Sequence, residues 1–163
     1  MSELLDLLER YRRGAELLAM ASTGAAGPVL DFKVEGHRWT VRQTVCHLAD
    51  MEAVNAVRFR QVIAEDKPVI GHVDDAAWAE KLDYGKRKLS VALETVRRLR
   101  ADNHDLLKDL PEGAFTRTTS DSISLASLVE QAAVHLEDQV REMQAVRAVY
   151  KEFRAKELAA QSS

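Results

Sequence analysis

The chain has 163 residues, 46% of them hydrophobic and 30% charged, a size and balance that suit one folded domain and exclude wholesale disorder. Its 23 basic and 26 acidic residues are mixed along the sequence and leave a formal net charge of -3, which excludes the electrostatic footprint of a nucleic-acid or anionic-membrane binder. The single cysteine, Cys46, excludes an intrachain disulfide framework and a Cys-rich zinc site, and no apolar run reaches the roughly 20 residues of a membrane span. The opening segment "MSELLDLLERYRRG" is charged and amphipathic rather than leader-like, so a cytoplasmic location is expected.

In chain order, Leu4, Leu7, Leu8, Tyr11, Ala15 and Leu18 fall on one face of a helix from Glu3 to Ala21. Glycine and proline in "STGAAGP" end it, and a loop follows to Trp39. Thr40 and Gln43 have capping-box spacing and open a second helix that continues to Glu65. Its inner arc holds Val41, Val45, Leu48, Phe59, Val62 and Ile63, with Met51 at the edge. "DKPVIGHV" breaks the chain, and "DDAAWAEKL" supplies an acidic cap and a short helix bearing Trp78 and Leu82. A third long helix, Lys86 to Leu110, turns Leu89, Leu93, Val96, Leu99, Leu106 and Leu110 inward and stops at Pro111.

After the loop "EGAFTRTTSDS", Ser124 caps a fourth long helix. Leu125, Val129, Ala132, Leu136, Met143, Val146 and Tyr150 form its buried stripe, and the periodicity lasts to Phe153 or Leu158. Period-two alternation is nowhere sustained. The sequence therefore predicts an all-α fold, an antiparallel four-helix bundle with a short extra helix between the second and third long ones. One domain over residues 1–158 is expected, with a disordered tail at 159–163. The connections at 22–39 and 66–85 are long for up-down-up-down turns and suit crossovers or functional rims.

Polar residues interrupt these stripes. Glu52 and Asn55 fall inside the apolar arc of the second helix and His47 at its edge; Asn103 interrupts the third; His135 and Gln139 stand one turn apart on the fourth. An unpaired buried polar group costs about 1–3 kcal/mol, so several of them on inward faces are best explained together, as one polar layer of the kind from which bundles build metal or ligand sites. The alternative is a hydrogen-bonded core network that fixes helix register.

"RWTVRQTVCHLADMEAVNAVRF" resembles the second helix of the DinB-like four-helix-bundle family, in which Trp and a Ser/Thr cap precede a His followed by Leu and acidic residues. "PVIGHVDDAAWAEKLDYGKRKLSVALETVRRLRADNHDLLKDLP" is similar to that family's middle region, and the resemblance runs from Trp39 to Val149. It implies a metal site of three histidines, one from the second helix and two spaced four apart on the fourth, holding nickel, zinc or another divalent ion. On that pattern His47 and His135 are ligands and the third position falls on Gln139; an alternative register makes His135 the later ligand and Gln131 the earlier. The imidazoles suit nickel or zinc, while an amide oxygen is a harder, weaker donor better suited to magnesium, calcium or manganese, so nickel, zinc or manganese are the expected ions, with Asp138 or Glu52 available to complete the sphere.

The resemblance implies a metal-dependent enzyme, either a thiol S-transferase using a low-molecular-weight thiol or a hydrolase, and a homodimer. No residue of the sequence assigns a catalytic role or a substrate. A metal-free bundle that binds a small molecule or a partner is the competing expectation. Cys46 adjoins His47 but points about 100° away and reads as a packing residue. His104 reads as a helix-surface residue, His37 and His72 as loop residues at the mouth of the bundle, Trp78 as a lid over its end, and "KRK" and "RRLR" as solvated faces. "TRTTSDSIS" lacks the His and Gly common in the family there.

Overall fold

The computed structural model describes residues 2–163. Helices α1 (Ser2–Ser22), α2 (Val41–Ala64), α4 (Leu89–Lys108) and α5 (Leu125–Gln161) form a four-helix bundle, and α3 (Asp75–Lys81) is the short extra helix. The expected caps are present. Thr40 Oγ1 accepts from Gln43 N at 3.1 Å while Gln43 Oε1 accepts from Thr40 N at 3.0 Å, and Ser124 Oγ accepts from Ser127 N at 3.0 Å. No helix among the described residues is long and apolar enough to cross a membrane. The final helix remains helical to Gln161, past the 159 boundary expected for a tail.

Around the bundle α1 packs on α4 and α5, and α2 packs on the same two, so α1 lies diagonal to α2 and α4 to α5. Side-chain contacts give the directions. Arg10 meets Glu137 and Arg147 meets the carbonyl of Ala21, so α1 and α5 run in parallel; Glu52 meets Arg100 and Arg60 meets Asp102, so α2 and α4 do too. Tyr11 meets Asn103 while Gly14 faces Arg100, which makes α1 and α4 antiparallel. The segment 65–88 consequently returns along the bundle, which is why it is long.

Nearly every residue from Val41 to Ala49 is buried, not just one stripe. A 3-10 turn at Gly27–Asp31, carrying Val29 and Leu30, and another at Tyr84–Lys86 cover the outer side of α2. Tyr84 is fully buried; its hydroxyl donates to Asp50 Oδ2 at 2.7 Å, and Arg87 Nη1 donates to Asp50 Oδ1 at 2.8 Å. Those bonds hold the second turn against α2.

The apolar interior divides into two clusters, one around Leu18, Val45, Val96 and Leu136, the other around Leu8, Phe59, Leu107 and Val129. Between them on α1, α2 and α4 lie Tyr11, Glu52, Arg100 and Asn103, each at most 3% exposed. The Arg100 guanidinium lies 4.1 Å from the Tyr11 ring centroid, pairs with Glu52 and donates to the carbonyls of Tyr11 and Ala132. Tyr11 donates its hydroxyl to Glu52 Oε2 at 2.8 Å and accepts from Asn103 Nδ2 at 3.2 Å. Burial, then the charge of Glu52, pushes the Tyr11 phenol well above its ordinary pKa, so it stays a donor.

This corrects the reading of "RRLR". Arg97 and Arg98 are solvated, but Arg100 is the largest fully buried side chain, and the buried line of α4 runs Ala92, Val96, Arg100, Asn103, Leu107. The leucines expected inward flank that line and are only partly buried. A hydrophobic wheel centres on carbon side chains and cannot see an arginine brought inside by a carboxylate.

Removing one member of a buried ion pair costs about 3–5 kcal/mol, because the other charge is left unpaired. Arg100→Leu is therefore expected to lower the unfolding free energy by about that amount, and Glu52→Leu in the same chain to restore much of it, measured by urea denaturation. Gly14→Ala is expected to destabilise despite the better helix propensity of alanine, because its Cβ would sit 2.7 Å from Arg100 Nη2.

Candidate metal centre

The capping box at Thr40 fixes where α2 begins and puts His47, 2% exposed, in its second turn facing α5. Trp39, just before the cap, stacks on the His47 ring with centroids 5.7 Å apart and planes 19° from parallel. Arg38 lies over Trp39 at 4.5 Å and reaches Asp75 at 3.7 Å, so this approach to α2 is tied to the start of α3. His135 and Gln139, four apart on α5, present their side chains on one face.

These elements bring the predicted residues together. Nε2 of His47 lies 2.8 Å from Nε2 of His135, with the rings at 79°. Gln139 lines the same cleft, and its Oε1 is buried with no hydrogen-bond partner among the described residues. The cleft has a volume of about 220 Å³ and is walled further by Asp75, Trp39 and Glu142. At its rim His37 Nδ1 lies 2.8 Å from Glu142 Oε2.

At 2.8 Å one imidazole donates its proton to the lone pair of the other, so the two rings share a single hydrogen. Two nitrogens each about 2.1 Å from a common ion, at angles of about 90–110°, stand about 3.0–3.4 Å apart, a few tenths of an ångström wider. The donor set of two imidazole nitrogens and one orphaned amide oxygen fits a divalent ion that replaces the shared proton. Among the described residues no three His, Cys, Asp or Glu side chains gather to hold an ion, and beside the two imidazoles the cleft offers the orphaned amide oxygen of Gln139.

Burial, reinforced by the neighbouring His135, lowers the His47 pKa to about 4, and burial lowers that of His135, with Asp75 opposing in both cases. Both rings are therefore neutral at pH 7, the state in which imidazole can act as a ligand.

Other candidates are placed elsewhere. Glu52 is committed to Arg100 and Tyr11, and Asn103 to Tyr11 and Arg60, so the single polar layer expected from the sequence is two separate groups. Asp138 is exposed and pairs with Arg141, and Gln131 is exposed. His72 lies in a different groove beside Trp78, and His104 is half-buried on α4 near Arg12 and Glu9. Cys46 is fully buried against the carbonyl of Tyr84, and burial pushes its thiol pKa up, away from reactivity. Of the loop histidines, His37 does reach the cleft. Asp75 was read only as part of an acidic cap; Asp74 makes that cap, bonding Ala77 N at 3.1 Å, while Asp75 faces the histidines.

A model of the DinB superfamily matches residues 7–159. "Putative metal-dependent hydrolase OB0782" of Oceanobacillus iheyensis is 34% identical over 65% of this chain and 63% of its own length. YfiT of Bacillus subtilis, under the same designation, is 34% identical over 54% of this chain and 49% of its own. The alignments thus span about half to two thirds of these relatives. The solved structure of YfiT, described as a probable metal-dependent hydrolase with an unusual four-helix bundle topology, superposes with a TM-score of 0.84 at 23% identity, covering 93% of this chain and 89% of that one.

The lowered histidine pKa values make stability depend on pH. Where the unfolded chain binds protons that the folded chain refuses, stability falls as pH falls, here between about 6.5 and 4 for His47. In chelator, the thermal midpoint is expected to drop more between pH 7.5 and 5 for the native chain than for His47→Gln, measured by circular dichroism. Equal drops would mean that the pair carries no proton linkage.

Proposed function

The chain belongs to the DinB superfamily, and from that premise we propose that it is a metal-dependent hydrolase whose divalent ion is held by His47, His135 and Gln139. The observation that carries the reading is the meeting of two neutral imidazole nitrogens beside a buried, unpartnered amide oxygen in one cleft. The designations of OB0782 and YfiT support it. Zinc and nickel suit the two nitrogens, while manganese tolerates the amide better.

When bound, a divalent ion supplies Lewis acidity, polarising a carbonyl and lowering the proton affinity of the nucleophile. The protein's own groups do the rest. Trp39 fixes the His47 ring, so its lone pair is aimed before any ligand arrives. Asp75, steadied by Arg38, is the group that accepts the nucleophile's proton at its carboxylate. His37 and Glu142 hold each other at the rim and narrow the entrance.

The cleft's volume supports hydrolysis over transfer of a thiol carrier. About 220 Å³ is below the roughly 300–1,000 Å³ of sites that enclose drug-sized ligands, so a small acyl substrate with water fits more easily than a second bulky reactant. Esterase and amidase turnover without added thiol is the expected signature; turnover that requires a thiol would favour the S-transferase reading instead.

Elemental analysis of protein purified without a His tag is expected to find a divalent metal, and His47→Ala to lose it while keeping its helicity. Gln139→His is expected to raise zinc affinity at least about tenfold by titration calorimetry, and to raise the thermal midpoint in zinc but hardly in chelator. A native chain that binds no zinc, nickel or manganese, with no gain in the variant, would favour the metal-free binding bundle.

A further inference from the structure

A second concavity shares no lining residue with the histidine cleft. It is a groove of about 790 Å³ where α5 runs past the end of α1 and the 3-10 turn at Gly27–Asp31, with Met20, Val29, Tyr150 and Leu158 among its apolar lining. Met20 is 73% and Leu158 57% exposed, and α5 from Lys151 onward is almost entirely solvent-facing.

The charged lining is all of one sign. Arg147, Lys151 and Arg154 border the groove and no acidic residue does, in a chain whose net charge is -3. Arg147 donates to the carbonyls of Ala21 and Thr23 and so neutralises the C-terminal end of α1. Arg154 bonds Glu157 at 2.8 Å in an exposed pair, which holds weakly and can be exchanged. Lys151 has no ion-pair partner among the described residues.

We infer that this groove is a second binding site, for an amphipathic monoanion: an alkyl chain laid along Met20, Val29 and Leu158, with its carboxylate at Lys151 and Arg154. Charge complementarity selects this occupant. A neutral apolar molecule would leave Lys151 without a counter-charge, and a second copy of the chain would bring Glu152 and Glu157 together with as many cations of its own helix. The groove's volume lies within the range that encloses a small amphiphile.

Decanoate, used below its micellar concentration, is the probe. Calorimetric titration of the full chain is expected to give saturable binding, at least about tenfold tighter than for uncharged decanol. Lys151→Glu and Leu158→Lys, both at exposed positions that leave the bundle intact, should each weaken decanoate at least about tenfold. His47→Ala should leave it unchanged, which separates this site from the metal centre. Absence of saturation, or equal affinity for decanoate and decanol, would overturn the proposal. So would sedimentation showing a dimer that Leu158→Lys converts to monomer, since the occupant is then another copy, or an acidic peptide that binds where decanoate does not.

Discussion

Arg100 and Glu52 are both removed from water at the centre of the bundle, and neither charge is tolerable there alone. Each therefore dictates where the helix bearing the other must lie. Because Arg100 also donates to carbonyls of α1 and α5, one guanidinium touches all four long helices and spans both diagonals. Gly14 makes that reach possible, since any side chain there would occupy the space of the guanidinium. Apolar packing on either side could slide by a turn at modest cost. A fork of fixed hydrogen bonds cannot, so the polar layer sets the register in which the apolar clusters close.

The histidine cleft inherits that register. Arg100 reaches the carbonyl of Ala132, less than a turn ahead of His135, so the position of α5 along the bundle is determined next to the residue that must meet His47. The capping box of α2 does the same from the other side, starting the helix at one residue and thereby choosing which turn carries His47 inward. Two devices, a local cap and a long-range buried ion pair, bring together nitrogens 88 positions apart in the chain.

The sequence revealed those parts whose signal is local or periodic. The caps at Thr40 and Ser124, the apolar faces of α1, α2 and α5, and the pairing of His135 with Gln139 follow from spacing, while the meeting of His47 with them follows from the family resemblance. What escaped depends on partners distant in the chain. Arg100 reads as surface because nothing nearby announces Glu52; Asp75 reads as a cap because its orientation depends on α3 folding against the cleft; and Glu52 reads as a spare ligand because its polarity is visible and its partner is not. The course of the helices was similarly hidden. Long connections signalled crossovers, but only contacts between elements tell which helix ends beside which.

That course bears on how the chain reaches its native state. In a bundle of hairpins, each helix collapses on the one just synthesised, and short loops close cheaply. Here α1 and α2 are diagonal, as are α4 and α5, so of the four neighbouring pairs only α2 with α4 joins successive long helices, and even that pair is separated by a connection running back along the bundle. Most contacts between the long helices must therefore await closure of large loops, which raises the contact order above that of a bundle of hairpins. Its folding should be slow for a helical bundle, with α1 waiting for the C-terminal helix to emerge before it can find a parallel neighbour.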